Sequence, residues 1–453
     1  MAESTNTIQK EIQDREAKEK RELRRKRRRR NQILAILTLL LFVCLIVVII
    51  GTGVWYIMHR GAGKTAGGGA ATTEETTIDN LFESEDEIVK PEETNTEPAL
   101  TPEQQLDAIL DEAFISQMPL EDKVAGLFIV TPESITGVNK AVKAGDGTKD
   151  ALNKYAVGGI VYASQNMQDA AQFTEMVSNT TLYSRYALFT CVAEEGGSST
   201  SLEKAGLADK TDSEQAMGTG ADAAKAYEAS GKIADSMLTY GLNLNFAPVA
   251  DLATVQDSYL KDASYGSDAA LAASFVTSAV QGMQEKGISS CLKYFPGAAD
   301  MKEDPAKGMA TSERTAEQLA AEEFTVFKAG IDAGADMVMV GHVAVPALTG
   351  DNTPCSLSSA VVTDKLRNEL GFNGVIITDA MNKGAITEYY EADEAAILAL
   401  KAGCDMILCP DDFEKAYNGV LEAVQNGTIS EERINDSLRR IYRIKYAGMK
   451  PEA

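Results

Sequence analysis

The chain has 453 residues, 44% hydrophobic and 24% charged, a balance that fits a folded protein and excludes a wholly disordered or collagen-like one. Its formal charge is −24, and such an excess of acid argues against nucleic acid as a partner of the main body. With only His59 and His342, no Cys/His cluster has zinc-ligand spacing, so neither a metal nor a cofactor is expected.

The charge is unevenly spread. Residues 1–32 hold twelve basic and six acidic side chains, so the remainder carries −30. Ten lysines or arginines crowd residues 18–30, where anionic lipid headgroups are the simplest partner. Directly after them, residues 33–58 contain no charged side chain and are long enough, at a rise of about 1.5 Å per residue, to cross a bilayer core. The pattern predicts a transmembrane helix with the basic tail in the cytoplasm and the rest outside the cell, since Arg60 and Lys64 are sparse beyond it. A signal peptide is the competing reading, but the run is too long for a usual h-region and no small-x-small site follows. Trp55 and Tyr56 suit the interfacial aromatic belt. Residues 59–101 are rich in Gly, Thr, Glu and Pro, as a flexible, disordered tether is, and the folded body is expected over 102–453.

In that body short apolar runs alternate with amphipathic segments. Residues 124–130, 157–163, 186–192, 242–247, 290–295, 337–343, 375–378 and 406–409 read as strands. Residues 169–183, 222–240, 268–285, 316–333, 358–370, 391–402 and 431–447 read as helices. Eight strands alternating with helices predict an α/β fold of the TIM-type (β/α)8 barrel class. An open doubly wound sheet is the alternative, but its GxGxxG loop is missing. Gly241, Gly287, Gly334, Gly371 and Gly403 stand where left-handed helix C-caps are required. Five cysteines lie in the body: Cys191, Cys291, Cys355, Cys404 and Cys409. Their odd number and apolar settings predict buried thiols rather than a disulfide framework, with Cys404 and Cys409 alone able to pair.

The seventh run ends on an acid. Val375, Ile376 and Ile377 lead to Asp379, and a carboxylate at the carboxyl end of a barrel strand is a candidate nucleophile or base. The competing reading is an N-cap for the next helix.

Taken in order, GLNLNFAPVAD (241–251), CLKYFPGAAD (291–300), AGADMVMVGHVAVPAL (333–348), CSLSSAVVTDKLRNELGFNGVIITDAM (355–381) and AGCDMILCP (402–410) resemble the barrel domain of glycoside hydrolase family 3, with VAEEGG (192–197) a weaker match. Within the family the resemblance is to bacterial single-domain β-N-acetylglucosaminidases, and it spans about residues 120–425. It implies that Asp379 is the nucleophile of a retaining mechanism, forming a glycosyl-enzyme that water releases. It also implies a histidine acid on the loop after the fifth strand, in a pattern close to KHFPGHGDxxxDSH. This chain reads KYFPGAADMKEDPA there (293–306): Lys293, Asp300 and Asp304 stand, while Tyr294, Ala298 and Ala306 replace the three histidines. Ala306, at the acid's own position, has no proton to give. Ala193 stands for a family aspartate, and Ser198 and Ala263 for arginines, that bind sugar hydroxyls; each lost charge-assisted hydrogen bond is worth about 1.5–3 kcal/mol.

Among the surviving residues, Lys293, Tyr294, Asp300 and His342 are candidates for substrate binding. Lys293 either reaches a sugar hydroxyl or pairs with Asp300 or Asp379, and His342 either lines the pocket or is hydrogen-bonded in the core. Glu195 and Asp251 read as structural. Two functions follow from the resemblance. The favoured one is a membrane-anchored, extracellular protein of β-N-acetylhexosaminidase type that meets wall glycan or a peptidoglycan fragment with impaired hydrolysis. The alternative is an active retaining glycosidase in which Asp304, Glu303 or Asp300 serves as acid/base after burial raises its pKa. A purely structural role leaves Asp379 and Lys293 unexplained.

Overall fold

Eight short parallel strands pair in sequence order and close on themselves: β1 (Phe128–Val130), β2 (Gly159–Val161), β3 (Phe189–Val192), β4 (Leu244–Asn245), β5 (Ser289–Phe295), β6 (Met337–Val340), β7 (Val375–Ala380) and β8 (Met406–Leu408), with β1 against β8. This computed structural model describes residues 114–447 except 199 and 298–300, together with Leu106, Ile109 and Leu110. The predicted membrane run at 33–58, its basic tail and the tether at 59–101 lie outside the described residues. Among the described residues no helix is long and apolar enough to cross a membrane.

The strands are almost wholly buried, because one face meets the barrel interior and the other the helices. That double burial is why they read as unbroken apolar runs. The first predicted run needs correction: Val124 and Ala125 end the helix Leu120–Ala125, and only Phe128–Val130 pair as strand. Pro119 before the helix, with Glu121 and Asp122 in its first turn, supplies the start signal.

Between strands run Ala170–Tyr183, Ala224–Thr239, Ala269–Gln284 and Ala392–Ala402, and Phe413–Gln425 and Glu431–Lys445 follow β8. All five expected C-cap glycines have positive φ. The helix predicted over 316–333 is broken at Glu322 into Ala316–Ala321 and Glu323–Asp332. At the break the Arg314 guanidinium donates to Glu322 at 2.6 Å and to the fully buried Glu323 at 3.0 Å. Residues 360–369 form a π-helix rather than a regular α-helix. All five cysteines are free and buried, so Cys404 and Cys409 do not pair.

The strand starts are held by one carboxylate. Asp405, fully buried just before β8, accepts from Arg367 Nη2 at 2.6 Å, the backbone N–H of Ile376 at 3.0 Å, Ser437 Oγ at 2.8 Å and Arg440 Nη1 at 3.1 Å, with Arg433 at 3.7 Å. It joins β7, β8, the π-helix and the last helix. The opposite rim, where the strands end, is free for chemistry.

Candidate active site

Three strand ends bring the expected residues to one rim. Lys293 lies near the end of β5, His342 two residues past β6, and Asp379 one residue before the end of β7. The register of β7, Thr378 beside Val340 of β6 and Ala380 beside Leu408 of β8, fixes the direction in which Asp379 leaves the sheet. Asp379 does not cap a helix: the next one, Gly384–Thr387, has Lys383 at its N-cap position and no side-chain cap.

Both carboxylate oxygens of buried Asp379 are occupied. Oδ1 accepts the Ala380 N–H at 2.7 Å and Oδ2 accepts Lys383 Nζ at 2.6 Å. Burial pushes the carboxyl up, but the Lys383 ammonium and the surrounding donors outweigh it and leave Asp379 below the usual carboxylate range. Asp379 is therefore ionised at neutral pH.

His342 is fully buried. Its Nε2 lies 3.1 Å from the Ala380 carbonyl, which only accepts, so Nε2 carries the proton; Nδ1, 2.7 Å from Ser356 Oγ, accepts the hydroxyl. Burial lowers its pKa to about 4, against the pull of the Asp379 carboxylate, so the ring is neutral. With both nitrogens engaged, His342 supports the backbone beside Asp379, the core alternative of the two that the sequence left open.

Among the described residues Lys293 pairs with Glu195 and not with Asp379; the Asp300 alternative lies outside them. Its ammonium is buried against Glu195. Glu214 accepts the Val249 N–H from the far side of this pair, and burial and the Glu195 charge push its carboxyl well up. Tyr294 lies between two cations, with Lys293 Nζ 5.4 Å and Lys383 Nζ 5.2 Å from its ring centroid. Tyr259, on the loop after β4, lies within the field of Asp251, Asp379 and Asp304; burial first, and then those charges, push its phenol well up. Asp251 orders its own loop, accepting the Leu252 N–H at 2.9 Å while its carbonyl accepts Ser264 Oγ at 2.7 Å.

On the loop after β5, Asp304 is half-buried and accepts the Ala306 N–H at 2.9 Å, which caps the turn Pro305–Lys307. Glu303 and Ala306 are exposed, and Asp300 lies outside the described residues. The loop leaves β5 through Gly297, at φ +115°, whose Cβ position lies 2.4 Å from the side chain of Glu323, so a larger residue has no room there. It returns through Gly308, against Gly384 of the β7 loop: a Cβ on Gly384 would meet the Gly308 nitrogen at 2.7 Å. Ala193 and Ala263 are half-buried and Ser198 is exposed on neighbouring loops.

Sequence reasoning missed the partners more than the principals. Lys383 sits four residues after Asp379, and the spacing alone does not tell a side chain that turns back onto the strand end from one that points to water. Glu214, the first residue of the short helix Glu214–Thr219, and Tyr259, on the loop after β4, have no motif to mark them.

A closed parallel barrel with an ionised carboxylate, a buried lysine and a cluster of tyrosines at its strand ends is a (β/α)8 enzyme scaffold. The chain belongs to glycoside hydrolase family 3: residues 119–444 match the Glycosyl hydrolase family 3 N terminal domain. It is 30% identical over 284 residues to a beta-hexosaminidase of Stenotrophomonas maltophilia (strain R551-3), spanning 60% of this chain and 82% of that protein. A beta-hexosaminidase of Xanthomonas campestris pv. campestris (strain B100) is 31% identical over 57% of this chain and 79% of its own length. Among solved structures, a glycoside hydrolase family 3 beta-N-acetylglucosaminidase from Paenibacillus sp. str. FPU-7 superposes with a TM-score of 0.69 at 32% identity, over 74% of this chain and 64% of that one. The beta-N-acetylhexosaminidase of Beutenbergia cavernae DSM 12333 gives 0.65 at 26%, over 73% and 99%.

Proposed function

We propose that this chain is a membrane-anchored, extracellular barrel of β-N-acetylhexosaminidase type that engages N-acetylhexosamine-containing wall glycan and hydrolyses it poorly. The observation that carries the reading is the pairing of an intact Asp379 with alanine at position 306. A retaining mechanism needs two groups, one to attack the anomeric carbon and one to protonate the leaving oxygen. Asp379 supplies the first by its place at the end of β7. At the second, Ala306 offers only a methyl group.

The alternative acids fit the role less well. Glu303 is exposed to water, and Asp304 spends one oxygen on capping its own turn. The anchor at 33–58 and the basic tail support an ectodomain outside the cell.

Two measurements test this. Protease added to intact cells is expected to digest the barrel and spare the N-terminal tail; the reverse pattern refutes the orientation. Sedimentation of the detergent-solubilised chain with insoluble peptidoglycan, competed by N-acetylglucosamine oligomers, reads the ligand class. Robust turnover of a natural glycoside, abolished by both Asp379→Asn and Asp304→Asn, establishes the active alternative.

A further inference from the structure

The loop after β7 places a cation on the carboxylate expected to attack. Lys383 Nζ is 2.6 Å from Asp379 Oδ2, and the Ala380 N–H holds Oδ1 at 2.7 Å, so each oxygen already accepts a hydrogen bond, one of them from a full positive charge. The contact is built rather than incidental. Gly384 presses against the backbone of Gly308, which fixes where the Lys383 side chain starts, and its ammonium lies over the Tyr294 ring. The other nearby ammonium, that of Lys293, is committed to Glu195, leaving Lys383 as the cation that meets Asp379. A nucleophilic carboxylate needs a free lone pair directed at the anomeric carbon, and that carbon gains positive charge in the transition state. An ammonium already against the oxygen takes up one of its lone pairs, draws electron density from the carboxylate and repels the charge that develops.

The geometry points to Lys383 as the residue that holds Asp379 unreactive: a sugar reaches Asp379 only when Lys383 withdraws. The inference rests on the reading of Asp379 as nucleophile. Lys383 acts through Asp379 and is a positioning residue with the opposite sign of most, since it suppresses reactivity. An ordinary exposed i,i+4 ion pair adds little stability and changes no chemistry, so the two roles separate in a reactivity assay.

The test uses the full chain in detergent and a 5-fluoro-N-acetylglucosaminyl fluoride. In the labelling step a bond forms between a carboxylate oxygen of Asp379 and C1 while the C1–F bond breaks, fluoride leaves with its electron pair, and no acid is needed. The ring fluorine slows the release of the adduct, which intact mass then counts against time. Lys383→Met keeps the stem over Tyr294 and removes the charge; it is expected to label at least about tenfold faster than the native chain, the equivalent of one charge-assisted hydrogen bond. Lys383→Arg should label as slowly as the native chain, and Lys383→Met combined with Asp379→Asn should not label. Equal rates in the native chain and Lys383→Met overturn the inference.

A sugar-free arm separates this failure from that of the underlying reading. A water-soluble carbodiimide adds to the Asp379 carboxyl, an amine attacks the activated carbonyl, and the urea departs with the carboxyl oxygen. In the native chain the attacking amine is that of Lys383, giving an internal amide in the peptide map. In Lys383→Met an added glycine ester takes its place. Absence of both products overturns the Lys383 contact. Their presence, with no variant accepting the fluoro sugar, refutes Asp379 as a glycosyl nucleophile and the suppressor role with it.

Discussion

Changing the leaving group, with the protein untouched, isolates the missing acid. A 4-nitrophenolate departs with little protonation, whereas methoxide needs a proton in the transition state. The rim of the barrel holds Asp379 for attack, but position 306 is an alanine whose methyl faces water. The Lys383 contact and the losses at Ala193, Ser198 and Ala263 weigh on both substrates alike and cancel in their ratio. General acid catalysis contributes about 10² to 10⁴, or about 3 to 5 kcal/mol of transition-state stabilisation. The ratio of kcat/KM for 4-nitrophenyl over methyl β-N-acetylglucosaminide is therefore expected to exceed, by about 10² to 10⁴, that of a family member with histidine at this position. The nitrophenyl substrate itself is expected to turn over at least about 10² to 10³ times more slowly than in that reference, because sugar-binding groups are gone. Nitrophenol release by absorbance and N-acetylglucosamine release by a coupled assay supply the two rates. A ratio within about tenfold of the reference would falsify the reasoning, since some other group must then be donating the proton.

Two further predictions concern the frame. Asp405→Ala strands three arginines around a fully buried site and is expected to cost about 3 to 5 kcal/mol, read as a lower urea midpoint; a cost below about 1 kcal/mol would show that the cluster is not coupled to folding. Lys445, in the last helix, has its buried Nζ over the rings of Phe189 and Tyr442 with no hydrogen-bond partner among the described residues, and burial lowers its pKa to about 7. Its pKa is thus depressed from 10.5 on folding, the unfolded chain binds the extra proton between the two values, and native stability gains as pH rises from about 7 to about 10. Lys445→Met should stabilise the barrel at pH 7, with the advantage shrinking across that window; a thermal-melt difference that stays constant with pH refutes it.

The barrel was legible because double burial writes itself into the chain as β-branched runs such as Val375–Ile376–Ile377, and five helix exits carry a glycine of positive φ. Strand ends were overcalled where an apolar run continued past the ladder, as at Val157 and Leu242, which are buried without pairing. Phe413–Gln425 was not among the predicted helices although Phe413, Ala416, Tyr417, Val420, Ala423 and Val424 form a buried stripe along it. Asp379 was legible from position. Its ion pair was not, because it depends on how the three residues 381–383 after β7 fold back, and the pairing of Lys293 with Glu195 joins residues far apart in sequence.

The junction between Gly308 and Gly384 bears on whether the proposed loss of hydrolysis is reversible. Residues 308–312 are held on one side by Gly384 and on the other by Ala344, whose N–H reaches the Ala310 carbonyl at 2.9 Å while its carbonyl accepts the Ser312 N–H at 2.9 Å. The two strand-end loops thus meet backbone to backbone, so a shift of the loop that carries position 306 presses on the one that bears Lys383. An imidazole introduced by Ala306→His begins in water, on a turn already capped by Asp304. A single codon change therefore restores the functional group without restoring its trajectory. On the reading proposed above, the way back to an efficient hydrolase runs through intermediates that gain nothing, and that makes such a state an evolutionary ratchet.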